Sequence, residues 1–195
     1  MVSDNLRDQG EDAMGRNDLL ESERLLRRST EVDPTNAFPL YTLSELYRRD
    51  PFIQQGPQRA IMMARRAAAV DPYESADKYY ALGTAFYLEN NCTGASEQYQ
   101  KALLLSPEDI GSLHFLGVCK LELGDVDGAK DLLEELVSVI PTHYWSYVHL
   151  ARIADMRGEP DLAACYRRAA DKVQGVGDIG ADAARERGVA PEPCL

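Results

Sequence analysis

Residues 76–109 read ADKYYALGTAFYLENNCTGASEQYQKALLLSPED. Apolar or small residues at Tyr79, Leu82, Gly83 and Phe86 recur at intervals of three and four, which places them on one helix face. Ala95, Tyr99 and Ala102 repeat that spacing on a second helix. Between the two runs, Glu89-Asn90-Asn91-Cys92-Thr93-Gly94 reads as a turn, and Thr93 is positioned to cap the second helix. Gly83 and Ala95 are small where two helix backbones are expected to approach. A glycine in mid-helix costs roughly 1 kcal/mol relative to alanine, so it needs a packing reason.

The pattern recurs. Leu116-Gly117, Ala129, Leu133 and Pro141 lie 34 residues after Leu82-Gly83, Ala95, Tyr99 and Pro107. One further period brings Leu150-Ala151, Ala163 and Ala170. This resembles the tetratricopeptide repeat (TPR) family, whose unit has an aromatic, a Leu-Gly pair and an aromatic, then Ala, an aromatic, Ala and Pro. The resemblance implies an all-α, right-handed superhelical solenoid of antiparallel helix pairs.

On that resemblance, residues 1–188 are expected to form a single array with repeats at about 3–36, 37–75, 76–109, 110–143 and 144–177. A cap helix is expected at 178–188, and residues 189–195 as a disordered tail. The first repeat is degenerate: Gln9 stands at a leucine place, and Ser22 and Ser29 stand at alanine places. The second carries four extra residues around Pro51-Phe52-Ile53-Gln54-Gln55-Gly56-Pro57, a loop by its prolines and glycine. In the fifth, Glu159 or Asp161 is placed to cap the second helix.

Composition sets bounds. With 32 acidic and 21 basic residues the formal charge is −11, which disfavours nucleic acid as a partner. No apolar run approaches the length of a membrane span, so no membrane insertion is expected. The start, MVSDNLRDQGED, lacks the basic and apolar regions of a secretion signal, which points to a cytoplasmic location. Cys92, Cys119, Cys165 and Cys194 form no CxxC pair and are read as free thiols. No Gly-rich phosphate loop, HExxH or GxSxG occurs; no catalytic residue, cofactor or metal is expected.

The candidate site also follows from the resemblance, because particular positions of each first helix face the concave side of such arrays. Here they are Tyr41, Glu45 and Arg48, then Tyr80, Thr84, Tyr87 and Leu88, then His114, Phe115, Val118 and Leu121, then Trp145, Val148, His149 and Arg152. A partner-binding groove is therefore expected from Tyr41, Tyr80, Thr84, Tyr87, His114, Phe115, Val118, Trp145, His149 and Arg152. Residues 79–143 hold three basic and ten acidic side chains, so a basic or apolar peptide or helix of another protein is the expected occupant. Some family members clamp chaperone C-terminal tails with a Lys–Asn–Asn–Lys–Arg set. The matching places here are Tyr80, Thr84, Phe115, Trp145 and His149, so such a tail is disfavoured.

The expected function is thus a non-catalytic protein-interaction adaptor or scaffold. Two alternatives stand beside it. One is homo-oligomeric assembly through array ends or the 51–57 loop; the other is a metal or acid–base site near His114 and His149. Arg27-Arg28, Arg65-Arg66 and Arg167-Arg168 read as a solvated outer face.

Overall fold

The computed structural model describes residues 2–49 and 55–194. Residues 51–54 of the expected loop, with Phe52 and Ile53, fall outside the described residues. Among those residues every regular element is a helix, and the chain divides into two compact units, Met1–Pro107 and Glu108–Leu195.

The first unit holds α1 (Val2–Gly15), α2 (Leu19–Val32), α3 (Phe38–Arg49), α4 (Gly56–Val70), α5 (Ala76–Leu88) and α6 (Cys92–Leu105). Each odd-numbered helix packs antiparallel on the even-numbered helix after it, and successive pairs meet through α2 with α3 and α4 with α5. The caps explain where the helices begin. Asp18, Ser75 and Asn91 each accept a hydrogen bond from the backbone N–H three residues on, satisfying a donor that the first turn leaves open. Asn91 thus does what the sequence assigns to Thr93. Thr93 lies inside α6, because Asn90 takes a left-handed φ of 59° and the helix starts two residues earlier, after Asn91.

The small residues sit where the helices close on each other. A Cβ at Gly83 would lie 2.6 Å from the Tyr99 ring, so α5 and α6 can approach only with glycine there. At the equivalent place in the second pair, Ser44 donates to the Ala60 carbonyl at 2.9 Å. In the first pair the serines at alanine places behave differently from each other. Ser29 donates to the Ser3 carbonyl at 2.7 Å, tying α2 to α1, whereas the buried Ser22 hydroxyl has no hydrogen-bond partner.

The second unit holds α7 (Ile110–Glu122), α8 (Val126–Val139), α9 (Tyr144–Met156), α10 (Pro160–Val173) and the short α11 (Ala181–Glu186). α7 packs on α8 and α9 on α10, with α8 against α9. Its core gathers Leu133, Leu150, Ile153, Tyr166 and Val173. Asp109, Asp125 and His143 cap α7, α8 and α9 with their side chains. Glu159 precedes α10 but makes no side-chain cap bond; Pro160 at the first helical position needs no partner for its missing N–H.

The cysteine reading needs correcting. Cys165 on α10 and Cys194 are joined in a disulfide, with Cα atoms 5.7 Å apart, while Cys92 and Cys119 remain thiols. Cys194 packs against the unit's core, and Lys172 Nζ donates to the Ala190 carbonyl at 2.7 Å. Residues 189–194 therefore run without helix along the unit and are tied to it, rather than forming a loose tail. Spacing could not show this, because the two cysteines lie 29 residues apart and only the chain's return after α11 brings them together.

Candidate functional site

In the first unit, α1, α3 and α5 lie side by side, since α3 touches both neighbours. Their shared face encloses a cleft of about 350 Å³. Three residues of the expected partner-binding groove line it: Tyr41 from α3, and Tyr80 and Thr84 from α5. Glu45, on the same α3 face, lines it as well.

The side chains are held by neighbours that fix their orientation. Tyr41 donates its hydroxyl to Asp71 Oδ2 at 2.8 Å. Burial, together with that carboxylate, pushes the phenol well above its ordinary range, so it stays a neutral donor. Tyr80 packs with its ring centroid 6.1 Å from that of Tyr99. Thr84 is only 3 % exposed and accepts from the Tyr99 hydroxyl at 3.3 Å, so it forms the floor of the cleft. Tyr87 is half-buried and not among the lining residues.

Charge around the cleft is mixed. Glu45 accepts from Arg48 at 2.5 Å and lies 3.5 Å from Arg49. Glu11 of α1 lies 3.8 Å from Arg7 and accepts from the Thr42 hydroxyl at 3.0 Å. Glu11 and Met14 belong to the lining, as do Asp77 and Ala81, and the sequence selection omits all four. A signal for α1 existed. Glu11 holds the register place of Glu45 and Thr84, and Met14 that of Arg48 and Tyr87, but the degenerate first repeat obscures it.

In the second unit, the selected residues lie on α7 and α9 with unequal access. Phe115 and Val118 are 9 % and 5 % exposed, so both are packing residues with little surface to offer. Trp145 is 58 % exposed, with its ring centroid 5.1 Å from that of Tyr144. Arg152 is exposed and donates to Glu122 Oε1 at 3.0 Å, linking α9 to α7.

His114 and His149 do come together: their ring centroids are 5.5 Å apart. His143, which the sequence does not select, completes the group at 4.9 Å from His114. Its Nδ1 accepts from the Ser146 N–H at 3.2 Å, so that nitrogen is unprotonated and the ring is neutral. Burial pulls His143 below the usual imidazole range, opposed by Asp178. Burial also lowers His149, reinforced by Arg152 and opposed by Glu122. Among the described residues no group of three or more His, Cys, Asp or Glu side chains is arranged to hold a metal ion.

The arginine pairs on the second helices are mostly engaged with carboxylates. Arg28 pairs with Glu31 at 2.9 Å, Arg65 with Glu89 at 2.8 Å, and Arg167 with Asp155. Among the described residues no helix is long and apolar enough to cross a membrane.

No protein-family model matches the chain. A curated relative, the BBSome complex member BBS4 of Bos taurus, is 25 % identical over 135 residues, which is 69 % of this chain. The matched region is only 25 % of that protein's length. Among solved structures, PilW, described as a widely conserved type IV pilus biogenesis factor, superposes with a TM-score of 0.73 at 19 % identity. The superposition covers 97 % of this chain and 88 % of PilW. YrrB, described as a TPR protein with an unusual peptide-binding site, gives a TM-score of 0.58 at 18 % identity. That match covers 87 % of this chain and 84 % of YrrB. With the paired antiparallel helices, these likenesses establish a TPR-like all-α fold.

Proposed function

We propose that this protein is a non-catalytic interaction module that holds a peptide or helical segment of a partner protein on the first-helix faces of its repeats. The observation that carries this reading is the cleft of α1, α3 and α5. Aromatic side chains, a threonine floor and acidic rims converge there, with Tyr41 and Tyr80 on adjacent helices. Tyrosines held in place by neighbours offer a partner large contact area at small entropic cost. The descriptions of BBS4 as a complex member and of YrrB as peptide-binding agree with a role in assembly.

Within this reading Tyr41, Tyr80 and Thr84 shape the cleft, and Tyr87 flanks it. Trp145, His149 and Arg152 offer a second contact face on α9, beside His114 and backed by Phe115 and Val118. An apolar or basic segment is the occupant, with the acidic rims setting encounter rate more than affinity. Residues 1–188 acting as one array belongs to the same proposal: a single calorimetric unfolding transition supports it, and two independent transitions refute it.

The test begins with capture of a partner from native extract and its identification by mass spectrometry. Calorimetric titration of that partner follows, against Tyr80→Ala, Trp145→Ala and the outer-face variant Arg66→Ala. Each aromatic truncation is expected to cost roughly 1–4 kcal/mol of binding where the partner desolvates the ring. Loss of binding in Arg66→Ala, with both aromatic variants unaffected, overturns the proposal.

A further inference from the structure

The histidines of the second unit meet at a structurally sensitive point, the first turn of α9. His143 is the residue that begins this helix, 7 % exposed, and its ring takes the hydrogen bond of the Ser146 N–H. The Ser146 hydroxyl lies 2.8 Å from the same nitrogen. The neighbouring Thr142 accepts from the Ile179 N–H at 2.7 Å and donates to the Ile179 carbonyl at 3.3 Å. The start of α9 therefore also anchors the chain that follows α10.

We propose that His114, His143 and His149 form a proton-operated latch: neutral imidazoles keep α9 capped, and protonation of the cluster releases its first turn and the segment around Ile179. A cap has to accept a hydrogen bond, and an imidazolium carries a proton on both nitrogens and accepts none. A positive charge at this position also opposes the helix dipole, whose positive end lies there. The second and third rings cannot dilute the charge, because each is itself a base that would carry the same sign.

The charged groups around the cluster are few and mixed. Asp178, from the segment after α10, favours protonation of His143. Glu122 at the end of α7 favours protonation of His149, yet it is already paired with Arg152, which opposes it. Burial outweighs the carboxylates and holds both His143 and His149 below the ordinary value of 6.5. The sign follows from that depression. The unfolded chain takes up protons first, so the contribution is whole above about pH 6.5 and is lost as pH falls below it. Each imidazole that stays neutral in the fold raises the unfolding constant about tenfold per pH unit in that window.

Trp145, the protein's one tryptophan, sits two residues beyond the cap and reports on it. Trp145, His149 and Arg152 also belong to the proposed contact face, so pH control of binding there rests on that reading; the latch does not. The test needs no partner, and its failure leaves the binding proposal untouched.

Urea unfolding of the full chain is followed by tryptophan fluorescence at about pH 7.5 and about pH 5.5. Wild type is compared with His143→Asn, which can cap without titrating, and with His149→Gln. The wild-type unfolding constant should rise between the two conditions, by up to about tenfold for each imidazole that stays neutral in the fold, and each variant should remove its share of that rise. Equal pH dependence in all three proteins overturns the latch. If His143→Asn does not fold, NMR titration of the wild-type histidine rings decides. His143 and His149 titrating below the ordinary imidazole range supports the latch, and titration at or above that range overturns it.

Discussion

Replacing Gly83 with alanine adds a single methyl group, and the structure says what it meets. The new Cβ would lie 2.6 Å from Tyr99 Cε1, 2.7 Å from Cδ1 and 3.0 Å from Cζ. Carbon atoms in contact sit at about 3.5–4.0 Å, so the ring has to retreat by roughly 1 Å. Tyr99 has nowhere to go: it is 0 % exposed, its hydroxyl is held by Thr84, and Tyr80 packs beside it. Overpacking of this kind costs about 1–3 kcal/mol, and straining the Tyr99–Thr84 bond costs up to about 1 kcal/mol more. Alanine returns about 1 kcal/mol of helix propensity. The net expectation is a loss of up to about 3 kcal/mol.

Gly117 holds the same repeat position and provides the control. There an added Cβ meets Leu133 Cγ at 3.1 Å and Cδ2 at 3.2 Å, a deficit small enough for a leucine to absorb. Propensity then offsets strain, and Gly117→Ala should lie within about 1 kcal/mol of wild type. Urea unfolding followed by circular dichroism measures both. Tyr99→Leu gives position 83 the partner that position 117 already has, so Gly83→Ala should be neutral or stabilising in that background. If Gly83→Ala is no less stable than wild type, or if Tyr99→Leu gives no relief, the ring is not what requires glycine.

Other consequences are as direct. Cys194→Ser opens a loop closed across 29 residues, which the chain-entropy estimate values at about 3–4 kcal/mol; unfolding of the second unit should shift by that order under non-reducing conditions and not under reducing ones. Asn91→Ala removes the α6 cap and should cost about 1 kcal/mol in denaturant unfolding, whereas Thr93→Ala should change little. Ser29→Ala leaves the Ser3 groups without their partner on α2 and should cost about 1–2 kcal/mol, while Ser22→Ala, at a hydroxyl with no partner, should be neutral or stabilising.

Most of the fold could be read from local pattern. Helix pairs, their turns and the close approach at Gly83 follow from spacings of three, four and 34 residues, because packing of adjacent helices imposes those periods on the sequence. The family resemblance, applied through that register, set Tyr41, Tyr80 and Thr84 on one face, and all three line the cleft. Depth did not follow from register. Phe115 and Val118 share the selected face with Trp145, yet they are buried and it is exposed, since exposure depends on which neighbouring helices cover each turn.

Two features belong to the tertiary structure alone. The Cys165–Cys194 bond depends on where the chain returns after α11. The meeting of His143 with His114 depends on how α9 is set against α7. Each joins residues far apart in the chain, and neither spacing nor composition carries that distance. Periodicity reports which face of a helix is covered; only the packed chain decides which residues cover it.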